Sequence, residues 1–365
     1  MNVKPEISPE DDLRLNVMLA QKPEAVRIDE SKLVVYALTE KGQARIELNP
    51  NCEESVYLRR VKAMLSSQVM GSPGGYPVFL ERWTRMGQSR DTNLEQLLLL
   101  GESEAIVAVA HAPGLTETLA RRAWWAMPDA ANARQMLNNS SVANSETGRE
   151  LAAFLLEFLP FEEEAGNMLE SVRLVLQPGL IDEDEKQRLW QRAQVKRNML
   201  VGFLHTLPDA LPTTTAEHPA LTEHAALLNA AALEQDPMMS TLRRLFSAQG
   251  QAFLQTCELA LARVSDQEVT VSLFEAIANY FEQTRATDIR YRDVAELETA
   301  VAAFEWEFEP VFERYARSIW FLSAISVDLL NPIFARTDAI GSGMRKKIKP
   351  VTDRVFHHLR ALTGP

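Results

Sequence analysis

Residues 113–127 read PGLTETLARRAWWAM, and residues 178–192 read PGLIDEDEKQRLWQR. Pro113, Gly114, Leu115 and Trp125 match Pro178, Gly179, Leu180 and Trp190 at one constant offset; Glu117 matches Asp182, and Arg121 matches Lys186 in charge. Each copy reads as a helix start. Proline and glycine end whatever precedes, Thr116 or Asp182 is placed to cap, and acids in the first turn complement the helix dipole. The tryptophan follows about two to three turns later, where a buried face needs bulk. Helices of this stretch also close alike, at Pro128, Pro160 and Pro208. Successive proline-closed helices predict a short HEAT-like array, in preference to an irregular bundle.

Outward from the repeat, the first two dozen residues are polar and acidic around Pro5, Pro9 and Pro23, and read as a mobile arm. Ala25–Ile28, Leu33–Leu38 and Ala44–Leu48 are short and rich in Val, Ile and Tyr. With Gly42 available for a positive φ, they predict a hairpin or a three-stranded meander. Val56, Leu58, Val61, Leu65 and Val69 approximate one helical face, which the stretch Gly71-Ser72-Pro73-Gly74-Gly75 ends. Leu211-Pro212-Thr213-Thr214-Thr215 reads as a linker. Beyond it, helices are expected over 221–233, 238–263, 267–285, 296–315 and 318–330, with short connections that favour an antiparallel bundle. Gly341-Ser342-Gly343 reads as a loop before a last helix over 350–362. The expected fold is mainly α: an arm (1–24), a small β element (25–54), a HEAT-like helical-repeat domain (55–212) and a C-terminal antiparallel helical bundle (213–365).

The chain has 365 residues, of which 46% are apolar and 24% charged, and a net charge of −12. That is a globular composition and argues against whole-protein nucleic-acid binding, DNA included. Two cysteines, Cys52 and Cys257, make no disulfide framework. The N-terminus lacks the apolar region of a signal peptide, and the most apolar run, 319–334, is interrupted by Asp328 and Asn331-Pro332. A cytoplasmic protein with no membrane partner is expected.

A search for chemistry finds little. None of the six histidines has the Glu three residues before it that a di-iron bundle uses, and there is no HExxH or CxxC pattern. His218 and His224, beside Glu217 and Glu223, read as a solvated helix entrance in preference to a metal site. The Gly71–Gly75 stretch lacks the GK[ST] ending of a phosphate loop. No catalytic, cofactor-binding or metal residues are assigned.

Charge says more. Between Ser55 and Arg90, Arg59, Arg60, Lys62, Arg82, Arg85 and Arg90 face the single acid Glu81, a net +5 inside an acidic chain, with Tyr57, Tyr76 and Trp83 interspersed. Basic groups among stackable rings suit single-stranded nucleic acid or an acidic partner. Arg59, Arg60, Lys62, Arg82, Trp83, Arg85 and Arg90 are therefore the candidate partner-binding residues. A second basic region holds Arg336, Arg345, Lys346, Lys347, Lys349, Arg354 and Arg360 against Asp338 and Asp353. The alternative is that both are solvated faces paired to acids, with 161–185 and 295–313 as the acidic candidates. Phe304, Phe308 and Phe312 read as a core stripe, with Glu305, Glu309 and Glu313 beside it.

The stretches YLRRVKAMLSSQVMGSPGGYPVFLERWTRMGQ (57–88), EQLLLLGESEAIVAVAHAPGLTETLARRAWWAMPDAANARQML (95–137) and NMLESVRLVLQPGL (167–180) resemble the DsrS family. These are proteins encoded with the reverse dissimilatory sulfite reductase system of sulfur-oxidising bacteria. The similarity is strongest over 25–212. It implies a cytoplasmic protein that supports oxidation of stored sulfur by acting on expression of the pathway's proteins after transcription. It carries over no catalytic residue. The function expected is thus a non-enzymatic accessory or regulatory protein of sulfur oxidation with a protein or RNA partner. The alternative is a helical-class enzyme acting on a small sulfur compound, with its site between the two large domains. Peripheral membrane attachment through 319–334 and the basic C-terminal region is a third reading.

Overall fold

The computed structural model describes residues 7–71, 93–229, 236–285, 290–303 and 310–364. It divides into two compact units, Met1–Phe158 and Leu159–Pro365. The chain is mainly helical, with a small three-stranded antiparallel sheet near the N-terminus. Among the described residues no helix is long and apolar enough to cross a membrane.

In the first unit, part of the segment expected to be an arm is ordered. Pro9–Ala20 form α1, with Ser8 as N-cap and Pro9 at a position where a missing N–H costs nothing. Leu15 and Met18 are buried, so packing holds a segment whose polarity suggested none. The sheet follows as β1 (Ala25–Asp29), β2 (Val34–Thr39) and β3 (Gly42–Glu47). Its registers include Val26↔Ala37 and Val35↔Ile46, and Thr39↔Gly42 closes the second hairpin. Gly42 sits at φ +114, which is why glycine follows the Glu40-Lys41 tip. Val26, Val35 and Ala37 share one core with Leu15 and Met18 of α1 and with Tyr57, Leu58, Val61 and Leu65 of α2 (Glu54–Met70). Gly71 ends α2 where the sequence predicted a stop, and does so in the left-handed conformation, at φ +65.

Among the described residues six further helices follow in this unit: α3 (Leu94–Leu97), α4 (Ser103–Ala110), α5 (Glu117–Ala126), α6 (Ala130–Leu137), α7 (Ser140–Ala143) and α8 (Glu146–Phe158). The second unit holds α9 (Ala165–Val175), α10 (Glu183–Val195), α11 (Asn198–Thr206), the single turns α12 (Ala220–Glu223) and α13 (Ala225–Leu228), α14 (Pro237–Phe246), α15 (Ala248–Leu261), α16 (Gln267–Tyr280), α17 (Val294–Ala303), α18 (Glu313–Ala324), α19 (Asn331–Phe334) and α20 (Gly341–Leu362). Helices α5, α8 and α11 each end just before a Met-Pro or Leu-Pro pair, as the prolines require.

The two copies of the repeat are out of step by one residue. Thr116 caps α5 and Asp182 caps α10 through a capping box with Glu185. Counted from the caps, Trp190 corresponds to Trp124 and not to its sequence match Trp125. The burial agrees: Trp124 and Trp190 are both buried, while Trp125 is half-exposed. Each buried indole meets a phenylalanine edge-on, Trp124 with Phe154 at 4.8 Å and Trp190 with Phe203 at 5.0 Å, both at 77°.

Several expectations change in the second unit. Of the helix expected over 221–233, the described residues form the two single turns α12 and α13, and the break expected between 315 and 318 lies inside α18. The helix expected over 238–263 is two helices, broken at Ser247. The loop expected at Gly341-Ser342-Gly343 is the first turn of α20, and Pro350 lies within that helix. Met344 and Ile348 are buried on its first half, so their burial outweighs the proline and glycines. Of the phenylalanine stripe, Phe312 is buried, while Phe304 and Phe308 lie outside the described residues.

A buried polar knot fastens α1 to α2. The Tyr57 hydroxyl donates to Asp11 Oδ2 at 2.5 Å, and the Asn49 N–H donates to the same oxygen at 2.7 Å. The Ser8 N–H in turn donates to the Tyr57 oxygen at 3.2 Å. Asp11 and Tyr57 are both fully buried. Tyr57→Phe removes one of the two donors to a buried carboxyl, and should destabilise the first unit by about 2–3 kcal/mol in denaturant unfolding. A change below ~0.5 kcal/mol would mean that water replaces the hydroxyl.

Candidate functional site

The sequence-selected basic residues that are described lie on α2. Burial of Tyr57, Leu58, Val61 and Leu65 turns one helix face to the core and leaves Arg59 exposed, with Arg60 and Lys62 half-exposed. Lys62 is already neutralised: its Nζ lies 2.7 Å from Glu30 Oε1. It also faces Glu102, whose carboxyl is pushed above its usual range by burial while Lys62 opposes the shift. Among the described residues, Arg59 reaches the Ser55 carbonyl, 3.4 Å from Nε, and Arg60 the Cys52 sulfur, at 3.7 Å. Among the described residues neither arginine meets a carboxylate. Arg82, Trp83, Arg85 and Arg90 lie outside the described residues. Tyr57, counted among the stackable rings, cannot stack on a ligand, because it is fully buried against Asp11.

The second basic region is largely spent within its own unit. Lys349 pairs with Asp353 at 2.5 Å, Arg354 with Glu298 at 3.3 Å and Arg360 with Glu258 at 3.2 Å. Arg345 donates to the Val264 carbonyl at 2.8 Å. The acidic runs are paired in part: Glu170 binds Arg173 through two bonds, Glu183 pairs with Lys186, and Glu313 with Arg317. For Lys349, Arg354 and Arg360 the face is the paired one of the alternative reading.

Two arrangements were not legible in the sequence. In the first unit, Arg27 of β1 lies between the rings of Tyr36, 4.7 Å away, and Trp125, 5.0 Å away. Register explains the first contact, since Arg27 is directly opposite Tyr36 on β2. The second comes from α5, which packs on β1. Beside it a cavity of about 390 Å³ is lined by Leu38, Arg121, Trp124, Trp125, Pro128 and Glu150. In the second unit, a groove of about 620 Å³ runs between α9 and α16, with Glu170, Glu268 and Glu275 along it. Such a groove repels anions, but Glu170 is committed to Arg173.

Three of the histidines serve packing. His218 stacks on Phe246 at 4.6 Å, His358 stacks on Phe321 at 3.9 Å, and His205 Nε2 lies 2.9 Å from the Ser272 carbonyl. Among the described residues no group of three His, Cys, Asp or Glu side chains is arranged to hold a metal ion. Comparison of the chain with protein-family models, curated proteins and solved structures gives no match.

Proposed function

We propose that the chain is a cytoplasmic, non-enzymatic accessory or regulatory protein of sulfur oxidation, working beside the reverse dissimilatory sulfite reductase system. The observation that carries the contact mode is the pair Arg59 and Arg60: two guanidiniums on one helix, without carboxylate partners among the described residues, in a chain of net charge −12. Guanidiniums left free in this way suit phosphate, which they bind in a bidentate fork. RNA of the pathway's transcripts is accordingly the partner proposed, with an acidic protein as the competing occupant. The same reading takes 55–212 as a HEAT-like array and 213–365 as an antiparallel bundle. The capped helices α5 and α10, each with a buried indole edge-on to a phenylalanine, support the first of these.

Filter binding of the purified protein to a pathway transcript tests the reading. Binding at about 50 mM salt is expected, weakening steeply as salt rises. In Arg59→Ala/Arg60→Ala the log–log salt slope should fall by about two, one phosphate contact for each side chain. Absence of binding at low salt, or a salt slope that the double variant leaves unchanged, would sink the RNA contact.

A further inference from the structure

The two edges of the sheet in the first unit are treated differently. On the β1 side the edge is covered: the Val26 N–H donates to the Leu98 carbonyl at 2.8 Å, and Arg27 bridges Gly101. On the β3 side, among the described residues, no backbone hydrogen bond reaches the outer edge. Which β3 groups face outward follows from the register. The Leu48 N–H donates inward to the Leu33 carbonyl at 2.8 Å, and pairing alternates along an antiparallel strand. Gly42, Ala44 and Ile46 therefore bond β2, and the N–H and C=O groups of Gln43, Arg45 and Glu47 point away from it. An uncovered edge of this kind is a template for another strand.

Two further features mark the same place. Leu13 and Val17, one helical turn apart on α1, are 65% and 50% exposed, unusual for large aliphatic side chains. They line a groove of about 570 Å³ together with Arg14, Met18 and residues 44–47 of β3. The outward strand also carries charges of opposite sign two residues apart, Arg45 and Glu47, which pair with each other at 2.7 Å within the chain.

We propose that the outer edge of β3 pairs antiparallel with β3 of a second copy of this chain, forming a two-fold dimer with a continuous six-stranded sheet. Three symmetric registers set two or more of the outward strand residues opposite one another. Centred on Arg45, the pairing sets guanidinium against guanidinium. Centred on Ala44, it sets Arg45 against Gln43. Centred on Ile46, it sets Arg45 of each copy against Glu47 of the other, twice, with four backbone hydrogen bonds between these residues. Opposite charges directly across strands attract and like charges repel, so the charges select the third register. The two-fold axis is then perpendicular to the sheet. Ile46 meets its own copy, and both α1 helices lie on the same face, where Leu13 and Val17 approach their equivalents across the junction. A self-complementary patch of this kind is what an isologous dimer requires.

Sedimentation velocity of the full chain over a concentration series tests the proposal. The wild type should show a concentration-dependent dimer. Arg45→Glu and Glu47→Arg each turn both cross-strand pairs into like-charge pairs, and each alone should weaken dimerisation by about tenfold or more. An equimolar mixture of the two variants restores both attractions, so the dimer should return as a heterodimer. Arg45→Pro, which removes an outward N–H while leaving the β2 ladder intact, should abolish the dimer with an unchanged circular dichroism spectrum. Three results would each overturn the proposal: a wild type that remains monomeric at about 100 µM, a dimer indifferent to the single charge reversals, or single variants whose mixture fails to associate. Binding to RNA is a separate measurement on α2, so failure of one leaves the other standing.

Discussion

Alanine in place of Gly250 is expected to cost the second unit about 3 kcal/mol or more of stability, the upper end of the overpacking range. A Cβ at this position would lie 2.3 Å from the Arg244 carbonyl oxygen and 2.4 Å from that of Leu245. Both are backbone atoms of α14, so no side chain can swing aside. The helices cannot separate cheaply either, since Leu242 and Phe246 of α14 and Phe253 and Leu254 of α15 are all fully buried. Gly148 is the same case in the first unit, with a Cβ 2.4 Å from the Val142 oxygen and 2.8 Å from that of Ala143.

The likeness extends to the caps. Ser145 and Ser247 each accept the glycine N–H at 3.2 Å, and each donates its hydroxyl at 2.7 Å to the carbonyl three residues back. Among the described residues a Ser-x-x-Gly corner thus recurs in both units, where one helix turns directly onto the end of the last. Gly343→Ala is the control. Its Cβ would meet only Ala339 Cβ, at 3.6 Å, within helix α20, so this change should stabilise by about 0.5–1 kcal/mol. Denaturant unfolding of the three variants checks the set. A Gly250→Ala protein within ~0.5 kcal/mol of wild type would mean that α14 and α15 relax apart.

Acid should weaken the second unit before it weakens the first. Burial, with the charges of His357 and Arg354 nearby, pushes the His358 imidazole down from 6.5 to about 4. His205 and His218 are lowered too, each chiefly by burial. Geometry agrees for two of them. His218 Nδ1 accepts the Ala220 N–H at 3.1 Å, which a protonated ring cannot do. His358 lies flat on Phe321 with Nδ1 3.1 Å from Ser318 Oγ.

The unfolded chain then takes up the proton more readily than the folded one. The contribution of His358 is intact above pH 6.5, shrinks as pH falls below it, and is lost by about pH 4. Allowing for partial solvent access, this group alone accounts for about 2 kcal/mol. His358→Phe keeps a stacked ring and removes the titration. The stability difference between wild type and variant should therefore move in favour of the variant by that amount between pH 7 and pH 4. A difference constant with pH would show that the ring is protonated in the fold without strain.

Much of the local structure was legible. The hairpin around Gly42, the stop at Gly71, the caps Thr116 and Asp182 and the proline-closed ends of α5, α8 and α11 depend on groups close along the chain. Sequence therefore determines them. The candidate site was legible only as a count of charges. Sequence located Arg59, Arg60 and Lys62 together, but not that Glu30 neutralises Lys62 or that Asp11 removes Tyr57 from the surface. Those partners lie 32 and 46 residues away, and no local pattern connects them.

The Pro-Gly-Leu repeat marks the boundary between the two kinds of information. Sequence by itself determined that two capped helices begin there, because capping involves residues within one turn. It aligned Trp125 with Trp190, since both follow the prolines at equal distance. Only the tertiary structure decided that Trp124 is the buried equivalent, because α10 starts one residue later relative to its proline than α5 does. One residue is a rotation of about 100° around a helix, enough to exchange a core-facing ring for one that lies over Arg27. Which face of a capped helix is inside depends on the element waiting to cover it, here Phe154 and Phe203, and that element is fixed by packing and not by the helix itself.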